Sequence, residues 1–173
     1  MNDQIYSIDL AFIAAEAVRR AEDYDAFRYF VELDERTDAE LDTLVEKIAA
    51  PIIAAIDCKQ CANCCRSLDV YLTENDAQHL ANGTFIPLEQ LLTEQIDCDR
   101  AAENEEWGVF RQKPCQFLSG KLCGVYEHRP ESCRMYPVFT PDFRWTLDEI
   151  LGGVGLCPII YHTIEQLQQA LGW

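Results

Sequence analysis

The chain has 173 residues, of which 49% are hydrophobic and 25% charged, the proportions of a globular protein with a real core. Its formal net charge of −16 argues against nucleic acid and against an anionic membrane surface as partners, since both would repel it. No apolar run approaches the roughly 20 residues of a bilayer span, and the opening Met1-Asn2-Asp3 lacks the basic start and apolar stretch of a secretory signal. A cytoplasmic location is the expectation.

In chain order, residues 7–35 place Ile8, Phe12, Ile13, Ala17, Phe27, Phe30 and Val31 at helical spacing with charges between them. This predicts one or two amphipathic helices, broken near residues 23–25. Thr37 and Glu40 form a capping-box pattern ahead of Leu41, Leu44, Val45, Ile48, Ile52 and Ile53. That helix should run to about Ile56, with Pro51 ending or kinking it. Residues 1–57 thus read as an N-terminal helical extension, and 58–173 as the domain that follows.

Val70-Tyr71-Leu72 suggests a short strand, and Thr73 should cap a helix that Gly83 ends. Pro87 should start a helix from Leu88 to about Ile96. The acidic stretch 97–106 reads as a solvated loop. Alternation over Trp107–Gln112 fits a half-buried strand. Ser119-Gly120 marks the turn of a hairpin with Cys115 and Cys123 on its two arms. Pro130 should begin the short helix bearing Cys133, Pro137 and Pro141 force extended chain, and residues 159–171 form a closing helix. The fold class is α+β, mostly helical.

The cysteines carry the chemistry. Cys58, Cys61, Cys64 and Cys65 lie within eight residues, and Cys115, Cys123, Cys133 and Cys157 follow; only Cys98 stands outside this set. Packing does not explain such a cluster, because one small apolar residue serves that purpose. Crowded thiolates repel one another and oxidise unless a cation binds them. In a reducing compartment, CxxC spacing points to metal rather than disulfides, and nine cysteines cannot all pair within the chain. Cys58, Cys61 and Cys64 match the first three ligands of the bacterial ferredoxin run, whose fourth position is occupied here by Leu68. Cys157-Pro158 offers a distant Cys-Pro instead. Eight thiols would fill two four-sulfur sites; one such site beside inert cysteines is the alternative.

Basic residues gather where the thiols are. Residues 1–57 carry 14 acids against 5 bases, whereas residues 113–134 carry Lys113, Lys121, Arg129 and Arg134 against Glu127 and Glu131. Arg129 and Arg134 are candidates to donate to sulfurs or carbonyls. Tyr126, Tyr136, Phe117 and Phe139 are expected to pack around the site, and His79, His128 and His162 read as structural.

The chain resembles the YkgJ-type cysteine-cluster family of zinc- or iron-chelating proteins. The resemblance rests on Cys58…Cys61…Cys64-Cys65, Pro114-Cys115-Gln116-Phe117-Leu118 and Cys123-Gly124-Val125-Tyr126-Glu127. It continues through Arg129-Pro130-Glu131-Ser132-Cys133-Arg134-Met135-Tyr136-Pro137, with Cys157 as its last member, and covers about residues 58–158. It implies chelation by Cys58, Cys61, Cys64, Cys65, Cys115, Cys123, Cys133 and Cys157.

The expectation is a metal centre held by loops and a short β-hairpin: an iron–sulfur cluster of the [4Fe-4S] type, with Zn2+ as the alternative. Its uses divide three ways. They are an electron-transfer, sensor or accessory protein; an enzyme using the cluster for redox or radical chemistry; and a structural zinc module binding a protein partner. No phosphate loop, HExxH, Ser/His/Asp arrangement or C-x3-C-x2-C radical motif supports the enzyme. A protein partner is expected in any of the three.

Overall fold

The computed structural model describes residues 6–173, so the Met1-Asn2-Asp3 opening lies outside the described residues. Its helices are α1 Leu10–Arg19, α2 Ala21–Glu32, α3 Asp38–Ala55, α4 Cys58–Cys61, α5 Asn63–Ser67, α6 Glu74–Thr84, α7 Leu88–Glu94, α8 Cys98–Ala102, α9 Glu131–Met135, α10 Phe143–Gly152 and α11 Pro158–Leu171. The strands are β1 Tyr71–Leu72, β2 Ile96–Asp97, β3 Gly108–Phe110, β4 Leu118–Ser119 and β5 Leu122–Cys123, with a 3-10 turn at Tyr126–His128. The fold is therefore mostly helical α+β. No described helix is long and apolar enough to cross a membrane.

The chain divides into two compact units. The first joins residues 1–57 to 137–173, and the second is residues 58–136. The first thus takes in a C-terminal segment that sequence alone groups with the cysteines. In it α3 packs against α10 and α11, and α10 also meets α2. The capping box at Thr37 and Glu40 starts α3, and Leu41, Val45, Ala49 and Ile52 form its buried stripe. Burying each large side chain contributes about 1.5–3 kcal/mol. Buried Arg144 fastens the α2–α3 connection, donating to the carbonyls of Val31, Glu32, Asp34 and Arg36 and pairing with Asp38.

The second unit is built on an antiparallel sheet in the order β1-β3-β2, with Tyr71 opposite Val109 and Ile96 opposite Phe110. Leu72, Ala77, Leu80, Leu91, Ile96, Phe110 and Val125 form its core, and Cys115, Phe117 and Cys123 pack against that core. A separate β4–β5 hairpin pairs Leu118 with Cys123.

Several boundaries depart from expectation. The break between α1 and α2 falls at Arg20, not at residues 23–25, and Asp23 instead takes a hydrogen bond from Arg20 within the first turn of α2. Pro51 lies inside α3 without ending it. Gly83 lies inside α6, which ends one residue later at Thr84, with Phe85 capping it in the left-handed conformation. The glycine is needed for space, since a Cβ there would come within 2.1 Å of the His128 ring. The acidic stretch contains α8, because the Asp97 carboxylate caps it by accepting from the Arg100 N–H. Helix α10 follows Pro141, where only extended chain was expected. The Asp42 carboxylate accepts the N–H groups of Asp142 and Phe143 and so starts it.

Candidate metal centre

The cysteine run folds as two short helical turns. Ala62 joins α4 to α5 in the left-handed conformation at φ 54, a backbone state that costs a non-glycine residue roughly 1 kcal/mol or more. Its N–H closes the first turn on the Cys58 carbonyl at 2.9 Å, and the Leu68 N–H closes the second on Cys64 at 2.9 Å. The Sγ atoms of Cys64 and Cys65 lie 4.0 Å apart.

Cys65 is then tied to a distant part of the chain, its carbonyl accepting the Cys115 N–H at 2.8 Å. Beyond Cys115 the chain turns into the hairpin, the Leu118 N–H closing on the Cys115 carbonyl at 3.0 Å, and the Phe117 and Leu118 amides lie near enough to the Cys115 sulfur to favour its thiolate. Across the hairpin the Val125 amide does the same for Cys123. Cys123 lies on β5, whereas Cys115 precedes β4 by three residues rather than lying on an arm. The Gly124 N–H closes the loop on the Phe117 carbonyl at 2.8 Å.

Cys133 comes from α9. Ser132 holds that helix by donating to the Tyr71 carbonyl at 2.6 Å, and the Glu131 N–H donates to Asp76 at 3.0 Å. Three segments far apart in sequence therefore deliver Cys65, Cys115, Cys123 and Cys133.

Their titration shows that they sense one another. Burial pushes the Cys133 thiol up to about 12, and charge on Cys115, Cys65 and Cys123 adds to the effect. Burial also raises Cys115, assisted by Cys65 and Cys123, and raises Cys123, assisted by Cys65. Cys65 moves the other way, to about 6. The hydrogen bond with Cys64 lowers it most, burial opposes this, and the Arg66 and Arg129 charges reinforce it. One ready thiolate thus stands among thiols that burial, aided by neighbouring thiolate charge, keeps protonated, an arrangement that a cation would reverse.

Among the described residues no three His, Cys, Asp or Glu side chains already stand at metal-binding separation. The donor chemistry fits a thiophilic metal all the same. Four sulfurs lie within electrostatic range of one another, and Cys115 and Cys123 pack on the same core as Phe117, which meets Phe110 edge-on at 5.4 Å.

The other expected ligands are placed as follows. Cys58 is exposed on α4 and Cys61 half-buried at its end; Cys64 begins the second turn with Cys65. Cys157 is buried at the cap of α11, in the first unit. Cys98 is exposed at the start of α8. His79 faces His128 with ring centroids 5.8 Å apart. Phe139 belongs to the core of the first unit. Arg129 donates to the Tyr126 carbonyl and Arg134 to the Arg129 carbonyl, the carbonyl role expected of them. Sequence reasoning missed the amides that lie near the sulfurs; the short Cys115-x-Phe117-Leu118 and Cys123-x-Val125 steps were their signal.

Residues 57–150 match the family model CxxCxxCC, described as "Putative zinc- or iron-chelating domain". The chain belongs to this CxxCxxCC family. The match takes in Cys58 through Cys133 and stops short of Cys157. No curated protein and no solved structure matches the chain. Membership agrees with the site's chemistry: metal binding is the family's description, and sulfur is the donor that this region concentrates.

Proposed function

We propose that this CxxCxxCC protein holds its metal through the thiols of its second unit and acts as a non-enzymatic electron-transfer, sensor or accessory protein. The observation that carries the reading is the gathering of Cys65, Cys115, Cys123 and Cys133, brought from three segments into mutual electrostatic range. Four thiolates suit a single four-sulfur site. Cys58, Cys61 and Cys64 supply further donors beside it, in the spacing of an iron–sulfur run. The metal is therefore read as iron, in a cluster of the [4Fe-4S] type.

Zinc is the second reading, and one observation favours it. Cys115 and Cys123 flank a tight hairpin whose amides lie near their sulfurs, the arrangement of a zinc-binding turn. Either metal would be held by the same side chains, with burial by Phe117 and Val125 limiting water at the sulfurs.

Purification without oxygen, followed by analysis of iron, acid-labile sulfide and zinc, tests the reading. Iron and sulfide in equal amounts with a brown chromophore are expected. Stoichiometric zinc in a colourless protein would replace the first reading by the second. A folded protein with no metal and independently reacting thiols would remove both.

A further inference from the structure

The charges of this acidic chain are sorted in a way that metal binding does not require. Eight cations form ion pairs with carboxylates: Arg19, Arg20, Arg28, Arg36, Arg100, Arg111, Lys113 and Arg144. Around the cysteines the pattern changes. Arg66, Lys121, Arg129 and Arg134 make no ion pair among the described residues and spend their N–H groups on backbone carbonyls instead. Arg66 donates to Cys61 and Gly120, Lys121 to Gln60, Arg129 to Tyr126 and Arg134 to Arg129. A carbonyl orients a cation without neutralising it; Arg66 and Arg129 also favour the Cys65 thiolate, and Arg134 acts on Asp76, but none of them is paired with a surface carboxylate among the described residues.

The same contacts join these side chains into one face. Lys121 links the hairpin tip to α4, and Arg66 links α5 to the tip. The Tyr126 ring then lies under Arg129 at 3.6 Å and near the Lys59 ammonium at 5.6 Å. Three large apolar side chains close to these cations in the chain are exposed: Leu122, next to Lys121, at 58%, Tyr126 at 41% and Met135, next to Arg134, at 58%. Arg, Tyr and Met amid clustered basic side chains are the composition of a protein-docking surface, and the sign of those side chains is opposite to that of the chain as a whole.

We propose that this face docks an acidic protein, one presenting carboxylates around an apolar contact. The chain's overall charge favours that partner over nucleic acid, because a long polyanion would extend beyond the basic face into repulsive surroundings. The proposal does not depend on which metal fills the site.

The test uses the full metal-loaded chain and a fluorescein-labelled peptide of glutamates flanking a central leucine, read by anisotropy. Saturable binding that weakens as salt rises is expected. Lys121→Gln with Arg134→Gln should weaken it roughly five- to tenfold with metal content unchanged. Lys47→Gln, which removes one charge from the first unit, should leave it within about twofold. Where binding is saturable, three outcomes overturn the proposal. One is equal weakening in the Lys47 variant. Another is tighter binding of a labelled single-stranded oligonucleotide, which would make the face a nucleic-acid site. The last is metal loss in the Lys121/Arg134 variant, which would make these cations counter-ions of the centre. Absence of saturable binding overturns it as well.

Discussion

The Cys115 N–H donates to the Cys65 carbonyl at 2.8 Å, joining two residues 50 positions apart. This backbone bond ties Cys115 to the cysteine run without using either thiol. Partial preorganisation of this kind lowers the ordering cost that metal binding must meet.

Loss of one gathered thiol should therefore be severe, and loss of the outlying one should not. Cys133→Ser is expected to lower metal content well below half of wild type at equal metal supply, and Cys98→Ser to leave it unchanged. Elemental analysis of the purified variants reads the difference. Equal loss from both would show that the ligand set has been drawn wrongly.

Asp76 gives the second unit an acid-sensitive joint. Burial works to raise its pKa, but hydrogen bonds from the Thr73 N–H and hydroxyl, then from the Glu131 N–H, outweigh burial and hold the carboxyl below its ordinary value. A depressed folded pKa stabilises the fold fully above the unfolded value of about 4, and the contribution is lost as pH falls through the folded value. Asp76→Asn should lower stability at neutral pH by about 1–2 kcal/mol and flatten its decline below about pH 4. Urea denaturation at a series of pH values measures both; an unchanged acid limb would exclude Asp76 as its source.

Gly83 offers a change of sign. In the wild type an added Cβ meets the His128 ring at 2.1 Å, so Gly83→Ala should destabilise by about 1–3 kcal/mol. With His128→Ala in the background the obstacle is gone, and the same substitution should stabilise by roughly 0.5–1 kcal/mol through helix propensity. Thermal melts of the four proteins in this cycle decide the matter.

The capping box of α3 makes a simpler prediction. The Thr37 hydroxyl accepts the Glu40 N–H, and the Glu40 carboxylate accepts the Thr37 N–H at 2.9 Å. Thr37→Ala should cost about 1 kcal/mol and lower the melting temperature by a few degrees. Metal content should not change, since Thr37 lies in the first unit and the gathered thiols in the second.

What the sequence reveals is what local chemistry determines. The capping box at Thr37, the cap at Thr73 and the helices they start follow from the residues alone. So do the turn at Ser119-Gly120 and the placement of Cys133 on a short helix after Pro130. The misses come from tertiary partners. Helix α10 begins because Asp42, a hundred residues earlier, receives its first amides. Gly83 stays helical because His128 needs the room. The candidate site divides in the same way. Spacing singled out the thiols as candidates, but only the fold shows that the Cys65 carbonyl accepts from the Cys115 N–H and that charge on Cys65 acts on Cys115, Cys123 and Cys133.

X-ray absorption at the metal edge of the loaded protein tests the central claim most directly. A first shell made only of sulfur, at about 2.3 Å, with Cys133→Ser losing a sulfur scatterer or the metal itself, is the predicted result. A shell dominated by nitrogen or oxygen, or one that Cys133→Ser leaves untouched, would contradict it.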